Sequence, residues 1–324
     1  MEFIGSLRKQ NASDIFFRYG IYVVLIVLII VFTVINGRFA SPENAINILQ
    51  QCVSIGIGTC GLLFVLIPGG LDISMGSVMY LGAIVGAYCT TNLGLGLGAT
   101  IFICMICGAL VGTANGLFVA KLKIAPLIVT LAMLYIVRGI VMISAGISTV
   151  KFANPVADTI IYTRLFDKIS VIIVILAVIL VVSQYILSKT VYGRQLYAMG
   201  NNRVAANMLG IKVDRNLIIT YIISGAFSSL AGLISGAQVG NMPTYFASGK
   251  EFVIISAAIL GGASLFGGRG SAFPGMFIGV LIITIIENGL VMSGTDLYAY
   301  VVVRGIIIFL AVLMDSIRNK GDLR

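Results

Sequence analysis

The sequence ISVIIVILAVILVVSQYIL occupies residues 169–187 and contains no charged side chain. A helix of this length would be about 28 Å long at about 1.5 Å per residue, close to the roughly 30 Å hydrocarbon layer of a bilayer. A helix on the surface of a water-soluble protein would instead carry a polar face. The stretch therefore predicts a helix that crosses a membrane.

Similar apolar runs recur along the chain, in which 59% of the 324 residues are hydrophobic and 10% are charged. A chain of this composition faces lipid rather than water. By window length, ten runs qualify as spans: 20–36, 46–67, 74–90, 97–120, 125–146, 169–187, 217–239, 252–266, 272–292 and 297–314. We predict an all-α, polytopic membrane protein with about ten transmembrane helices, built as one transmembrane domain over residues 1–324.

Glycine and proline should break some of these helices, at Pro68-Gly69-Gly70, Gly261-Gly262 and Gly267-Gly268. Other glycines lie four residues apart, which places them on one helix face and lets two backbones approach closely. Each such ladder is typical of ordinary helix packing and also suits a tightly packed transporter core. The ladders are Gly82 and Gly86; Gly108, Gly112 and Gly116; Gly232, Gly236 and Gly240; and Gly275 and Gly279.

The distribution of Lys and Arg predicts the orientation. With the N-terminus in the cytoplasm, fourteen of the 21 Lys and Arg residues fall on the inner side and five on the outer side, while Arg138 and Arg304 lie within spans. The inner residues are Arg8, Lys9, Arg18, Lys121, Lys123, Lys189, Arg194, Arg203, Lys212, Arg215, Arg269, Arg318, Lys320 and Arg324, and the outer ones are Arg38, Lys151, Arg164, Lys168 and Lys250. We therefore expect a multi-pass protein of the cytoplasmic (inner) membrane with both termini inside. The first run follows a polar stretch without a cleavage site after it, so it reads as a retained helix. The net charge of +9 then reflects topology, and no nucleic-acid partner is expected.

Residues 188–216, SKTVYGRQLYAMGNNRVAANMLGIKVDRN, form a long polar and basic interruption that this count places in the cytoplasm. The interruption reads as a short helix, because Asn201 or Asn202 can cap its N-terminus and Gly210 suits the left-handed residue that ends a helix. A purely solvated connector is the alternative.

One face of this predicted helix carries Ala205, Ala206 and Leu209, by three- and four-residue spacing. Such a face would fit the groove of a partner protein, with Arg194 and Arg203 available for charged contacts at the rim.

Four ionisable residues lie at membrane depth: Asp72, Arg138, Glu287 and Arg304. A charge there is expensive unless it is paired or hydrated. Glu287 and Arg304 fall in the outer halves of neighbouring spans, so we hypothesise an ion pair between them. The alternative places Glu287 on a solute path beside Asn288, where it would accept hydrogen bonds from hydroxyl groups.

Asp72 follows the Pro68 break and, with Ser74, can cap the next helix. The same break is a candidate for part of an inner gate. Gln51, Asn115 and Asn288 are polar residues in apolar helices. They are candidates for lining a path, and interhelical hydrogen bonding is their alternative role.

Motifs known from soluble enzymes are either absent from this chain or do not have their usual meaning in it. Residues 56–61 fit G-x-G-x-x-G but lie within a span, and the only Gly-Lys pair, Gly249-Lys250, is followed by Glu251, so no P-loop is present. Cys104 and Cys107 form a C-x-x-C on a lipid-depth helix in a chain without histidine, and we interpret them as packing residues with no metal. The pattern of a membrane-bound enzyme is likewise missing, so we expect no catalytic residues and no cofactor in this chain.

Five blocks, taken in order, resemble the permease subunits of bacterial ribose-type ABC importers. They are PGGLDISMGS (68–77), APLIVTLAMLYIVRG (125–139), YGRQLYAMGNNRVAANMLGI (192–211), LGGASLFGGRGS (260–271) and RGIIIFLAVLMD (304–315). The resemblance implies a permease dimer, formed by a second copy or a paralogue, that receives a monosaccharide from an extracytoplasmic binding protein. It also implies a separate cytoplasmic ATPase, which holds ATP and Mg²⁺.

The resemblance further implies that the segment from Gly193 to Gly210 contacts the ATPase. Matching positions are Gly193, Arg194, Tyr197, Ala198, Gly200, Asn202, Ala205, Ala206, Gly210 and Ile211. Asn201 replaces a usual glycine, and residues 251–256 lack the aspartate of the usual acidic-Leu-Asp pattern. Two alternatives stay open: an ABC permease for a non-sugar solute such as a nucleoside, and an ion-coupled secondary transporter.

Overall fold

The computed structural model describes residues 12–145, 150–152, 164–165 and 169–322. Predictions for Arg8, Lys9, Lys168 and Arg324 lie outside this range. Within it the chain forms twelve helices: α1 (Ala12–Ile35), α2 (Pro42–Leu66), α3 (Met75–Thr91), α4 (Leu97–Ala120), α5 (Pro126–Ala145), α6 (Val171–Lys189), α7 (Val191–Asn201), α8 (Arg203–Met208), α9 (Val213–Val239), α10 (Lys250–Leu260), α11 (Phe277–Met292) and α12 (Leu297–Asp322).

The prediction of an all-α membrane architecture is confirmed, because an α-helix covers all or most of each of the ten apolar runs. Six helical stretches of the described residues are long and apolar enough to cross a membrane: Pro42–Leu66, Leu97–Ala120, Pro126–Ala145, Val171–Lys189, Val213–Val239 and Ala272–Met292. Shorter apolar stretches are Gly20–Ile35, Met75–Thr91 and Val301–Leu313. The strands are minimal: β1 (Val150–Lys151) pairs antiparallel with β4 (Asn241–Met242), and β2 (Arg164–Leu165) with β3 (Ile169–Ser170).

Local sequence accounts for the bounds of α2. The side chain of Ser41 accepts a hydrogen bond from the backbone N–H of Asn44 at 3.2 Å, and Pro42 occupies the first turn, where its missing N–H is harmless. The helix ends before Pro68, and Gly69 takes a left-handed φ of +76°. This is the predicted break, and it lets the chain reverse into α3.

Helices α2 and α9 form the centre of the bundle. The most apolar stretch of α2 is 83% buried, whereas that of α4 is 22% buried. Helix α9 packs against α2, α3 and α4. The periphery, formed by α4, α5 and α6, therefore presents apolar side chains outward, as a lipid-facing surface requires.

The predicted glycine ladders are the contact surfaces between these helices. A Cβ atom at Gly112 would overlap the carbonyl of Tyr221 in α9, and one at Gly232 would overlap the carbonyl of Met79 in α3. Gly240 departs from its ladder, since it ends α9 with a φ of +74° and has open space around it. The ladders thus fix how close α9 lies to α3 and α4.

Helix α10 shows the other predicted break. The apolar run 252–266 becomes a helix of 11 residues that ends at Leu260. At about 1.5 Å per residue it is about 16 Å long, roughly half of a membrane. Gly262, Gly267 and Gly268 have positive φ, so the chain turns back through a loop at residues 261–271 and re-enters the bundle through a π-turn at Ala272–Met276.

Candidate functional site: the α7–α8 layer and the intramembrane polar groups

The polar segment 188–216 folds as two short helices rather than the single predicted one. Thr190 caps α7 by accepting a 3.1 Å hydrogen bond from the backbone N–H of Gly193. Asn202 caps α8 by accepting one of 3.0 Å from the N–H of Ala205. Gly210 follows α8 with a φ of +79°. The cap at Asn202 and the ending at Gly210 are as predicted, whereas Asn201 is the last residue of α7.

Helix α7 is anchored to the bundle by the predicted residues Gly193, Tyr197 and Gly200. A side chain at Gly193 would overlap the carbonyls at the end of α6, and one at Gly200 would overlap the carbonyl of Ile67 and the backbone of Gly268. The Tyr197 hydroxyl donates a 2.6 Å hydrogen bond to the carbonyl of Gly270. Burial raises the pKa of this phenol, so it stays protonated and able to donate.

The prediction that Ala205, Ala206 and Leu209 share one outward face is wrong, because Ala206 points into the bundle. Ala206 is only 2% exposed and packs on Ala120, Met199 and Leu217 of the chain itself. The alanine is turned inward because its small side chain lets α8 lie against the ends of α4 and α9. Ala205 and Leu209 face outward.

Sequence reasoning did not include Val204 and Met208, which complete this outer surface beside Leu209. Val204 is 66% exposed, Met208 82% and Leu209 79%. We call these three residues the α8 apolar surface. Their four- and five-residue spacing was the available signal, obscured by the alanine pair between them. The predicted rim residue Arg194 is exposed on α7.

The other predicted rim residue, Arg203, is also exposed, but its guanidinium group is bonded to the chain itself. Its side chain points into the break between α2 and α3, where Nη2 donates to the carbonyl oxygens of Pro68 at 2.8 Å and Gly69 at 3.0 Å. Nε donates to the same Pro68 oxygen at 3.2 Å. Helix α8 is therefore bonded to the break.

The structure brings three predicted intramembrane residues together around Asp72, which is 1% exposed. The carboxylate Oδ1 accepts hydrogen bonds from the backbone N–H of Ser74 at 3.0 Å and from its hydroxyl at 2.6 Å. The amide of Asn115 donates to the Ser74 hydroxyl oxygen at 2.9 Å. Ser224 of α9, which sequence reasoning missed, donates to Asp72 Oδ2 at 2.7 Å. Three helices, α3, α4 and α9, thus meet in one polar network.

Glu287 and Arg304 also lie together, with 3.6 Å between Glu287 Oε1 and Arg304 Nη2. Lys250, which the sequence did not suggest as a partner, donates to Glu287 Oε2 at 3.4 Å. One carboxylate therefore holds the start of α10 and the middle of α12 against α11. Asn288, the neighbour of Glu287, is buried, and its side-chain oxygen has no hydrogen-bond partner in the described part of the chain.

Gln51 lies apart from both polar sites and is exposed on α2. Glu43 and Asn47 precede it by eight and four residues on the same helix face and are exposed as well. We call this row the α2 polar stripe. It reaches about 13 Å along the helix from Pro42 at about 1.5 Å per residue, so that Gln51 lies within the predicted span 46–67.

Membrane-spanning helices pack around α9 and α2, polar groups are buried at helix breaks, and two short helices form a layer on one face of the bundle. Together these features define a polytopic membrane permease. The chain belongs to the family described as branched-chain amino acid transport system / permease component, which matches residues 44–312. It is therefore a transport subunit with several membrane passes.

Curated relatives cover almost the full chain. The ribose import permease protein of Bacillus subtilis strain 168 is 34% identical over 315 residues, 95% of this chain and 95% of the relative. The fructose import permease protein of Rhizobium meliloti is 33% identical over 302 residues, 91% of this chain and 84% of the relative. The L-arabinose transport system permease protein of Escherichia coli strain K12 is 32% identical over 308 residues, 94% and 92% respectively. No solved structure matches the chain.

Proposed function

We propose that the chain is the permease subunit of an ATP-driven ABC importer for a monosaccharide, in the inner membrane with both termini in the cytoplasm. The observation that carries the proposal is the α8 apolar surface on a chain without a P-loop. Three large apolar side chains exposed on a polar loop suit a partner protein rather than water. The whole of residues 1–324 acts as one permease domain in this proposal.

The partner at the α8 apolar surface is a cytoplasmic ATPase, which binds ATP and Mg²⁺. Val204, Met208 and Leu209 serve as apolar anchors in a groove of the ATPase, and Arg194 contributes a charge at the rim. Closure of the ATPase pair on ATP moves the α7–α8 layers of two permease subunits and switches the path between outward and inward access. The second permease is another copy of this chain or a paralogue.

The solute path runs along the α2 polar stripe. Glu43, Asn47 and Gln51 are exposed in the single chain. An amide facing lipid without a hydrogen bond costs roughly 2–7 kcal/mol, so the stripe is expected to face water between two permease subunits. The carboxylate of Glu43 and the amides of Asn47 and Gln51 suit a solute rich in hydroxyl groups. An extracytoplasmic binding protein delivers the solute at the end of the bundle opposite α7 and α8.

The sugar assignment rests on the ribose, fructose and arabinose named for the three relatives, together with the amides of the stripe. The family description names branched-chain amino acids instead. A nucleoside is a further candidate, because its ribose carries the same hydroxyl groups.

Two of the described carboxylates, Asp72 and Glu287, are engaged in ways that do not suit an ion-coupled secondary transporter. Asp72 accepts three hydrogen bonds from serines, and Glu287 lies between Lys250 and Arg304. Neither carboxylate is poised to bind and release an ion in this state.

Reconstitution tests the function directly. The chain is incorporated into liposomes with its cognate ATPase and binding protein, and solute uptake and ATP hydrolysis are measured for D-ribose, D-fructose, L-arabinose, adenosine and L-leucine. We expect one of the sugars to stimulate both activities, with uptake abolished by omitting ATP and unaffected by an uncoupler. Stimulation by leucine or adenosine alone would reject the sugar assignment, and uptake that an uncoupler abolishes would reject ATP-driven import.

A further inference from the structure

Arg203 ends at carbonyl groups of the turn that follows α2. A guanidinium group is a favourable ligand for a backbone carbonyl oxygen, because a hydrogen bond from a charged donor is stronger than one from a neutral donor. Arg203 binds two such oxygens, those of Pro68 and Gly69, across 135 and 134 residues of sequence. Among the described residues, no other side chain of α8 is hydrogen-bonded to the Pro68–Asp72 break.

The break between α2 and α3, at residues 68–72, is short and is held by hydrogen bonds to neighbouring backbone and to α9. The N–H of Gly69 donates to the carbonyl of Leu66 at 2.8 Å, and the N–H of Gly70 donates to that of Val65 at 2.9 Å. The carbonyl of Leu71 accepts a 3.1 Å hydrogen bond from the Tyr221 hydroxyl of α9. Since Gly69 and Asp72 are three residues apart in this held segment, a displacement at Gly69 is passed to Asp72.

Asp72 is in turn the centre of the network that joins α3, α4 and α9. Its two oxygens accept from Ser74, the residue directly before α3, and from Ser224 of α9, and Asn115 of α4 binds Ser74. The hydrogen bonds of Arg203, the short backbone segment 68–72 and the hydrogen bonds of Asp72 therefore connect a helix on the polar face to the buried centre of the bundle.

The other attachments of the α7–α8 layer reach the loop at 261–271, the start of α9 and Ile67 at the end of α2, without a side-chain hydrogen bond to the break at 68–72 among the described residues. Tyr197 binds Gly270, and the backbone N–H of Gly268 binds the carbonyl of Ile67, so these contacts reach the loop at 261–271. Ala206 packs on the ends of α4 and α9 without a hydrogen bond to the break. Motion of α8 thus has a separate connection to Asp72 through Arg203.

We propose that Arg203 is a positioning residue that transmits displacement of α8 to the Asp72 network, through the carbonyl oxygens of Pro68 and Gly69. The inference rests on the proposed function, since it assumes that a partner moves α8. In this arrangement the docking of the ATPase depends on Val204, Met208 and Leu209, while the transfer of its motion into the membrane depends on Arg203.

The first test uses the liposome complex of the chain with its cognate ATPase and binding protein, supplied with whichever of D-ribose, D-fructose and L-arabinose best stimulates hydrolysis. Arg203→Gln removes the charge and two of the three donor groups. We expect the ATPase to stay bound and ATP hydrolysis to continue, while solute transported per ATP falls about tenfold, in line with losing hydrogen bonds from a charged group. Arg203→Lys keeps the charge and should restore part of the ratio.

Arg215→Gln is the matched control, because Arg215 is an exposed arginine at the start of α9 with no hydrogen bond to the described part of the chain. Its transport per ATP should equal that of the parent. A loss of uptake in Arg203→Gln that merely follows a loss of bound ATPase would overturn the proposal, as would an unchanged ratio. If the unsubstituted complex does not transport any of the sugars, the proposed function has failed instead.

A second variant tests the far end of the connection and does not touch α8. Ser224→Ala removes one hydrogen bond to Asp72, and Ser228→Ala, one turn along α9, removes a hydroxyl that binds only the carbonyl of Ser224. We expect Ser224→Ala to lower transport per ATP with the ATPase still bound, and Ser228→Ala to leave the ratio unchanged. Equal ratios in the two variants would contradict the proposal even if Arg203→Gln does not fold.

Discussion

Gly108 of α4 and Gly225 of α9 face each other so closely that a Cβ atom on either residue would overlap the carbonyl oxygen of the other. Each glycine therefore limits the size of the side chain that can be accommodated at the other position. The contact lies in the centre of the bundle, where α9 also meets α3, and it holds the helix that carries Ser224 and Tyr221 in place.

Replacing either of these glycines should destabilise the protein. Gly225→Val inserts three carbon atoms against backbone that cannot move aside, and overpacking of this kind costs about 1–3 kcal/mol. We expect a lower midpoint of thermal unfolding in detergent, measured by the intrinsic fluorescence of the tyrosines. Gly98→Ala, in the first turn of α4 where nothing lies within 4 Å, is the control and should leave the midpoint unchanged or raise it slightly. Equal midpoints for the two variants would contradict the packing account.

A charge on the α8 apolar surface should weaken binding of the ATPase. Met208→Asp places a carboxylate on a side chain that is 82% exposed, so the fold should tolerate it while an apolar groove would not. We expect at least about a tenfold loss of affinity, as for truncation of an interface anchor, measured by co-purification and titration. Leu122→Asp, at an exposed apolar residue after α4, serves as the control. Retained affinity in Met208→Asp would remove this surface from the interface.

The contact of Glu287 with Arg304 and Lys250 predicts a structural role for the carboxylate. Glu287→Gln leaves two partly buried cations without their counter-charge, which we expect to lower stability by about 1–3 kcal/mol, less than for a fully buried pair. The combined variant Glu287→Gln with Lys250→Met should recover part of the loss. If stability is unchanged and only the KM for the solute rises, Glu287 contacts the solute instead.

The α2 polar stripe should affect uptake without affecting the fold. Gln51→Leu replaces an exposed amide by an apolar side chain of similar size, so we expect an unchanged unfolding midpoint and a KM for uptake raised roughly tenfold, by about 1.4 kcal/mol for each lost hydrogen bond. Ile46→Ala, an exposed apolar residue on the same part of α2, is the comparison. A normal KM in Gln51→Leu would place the path elsewhere.

The helices were predictable because hydrophobic run length and glycine or proline breaks are local signals. The run 97–120 became Leu97–Ala120, and the cap at Asn202 and the stop at Gly210 followed from the chemistry of single residues. The rotation of α8 was not predictable in this way. Ala206 faces inward only because the ends of α4 and α9 lie there, and that is a property of the packed bundle.

Some polar contacts between residues far apart in the chain could not be predicted from the sequence for the same reason. Glu287 and Arg304 were paired correctly from their depth in neighbouring spans, whereas Lys250 was counted only as an outer charge. Arg203 resembled any exposed cation of a basic loop, and its hydrogen bonds to Pro68 and Gly69 required knowledge that α2 ends directly beneath it. A hydrogen bond that a backbone carbonyl accepts cannot be predicted from the amino-acid type of the residue, because every residue carries a backbone carbonyl.

The loop at 261–271 bears on how the protein matures during synthesis. Asp315 of α12 accepts a 2.9 Å hydrogen bond from the backbone N–H of Leu265, 50 residues earlier in the chain, while Gln184 of α6 accepts one of 3.0 Å from Ala272 just after the loop. Gln184 is therefore synthesised before the loop, whereas Asp315 is synthesised only after α11 and most of α12. A nascent chain that has been synthesised only as far as α11 therefore still lacks the residue of α12 that holds this loop.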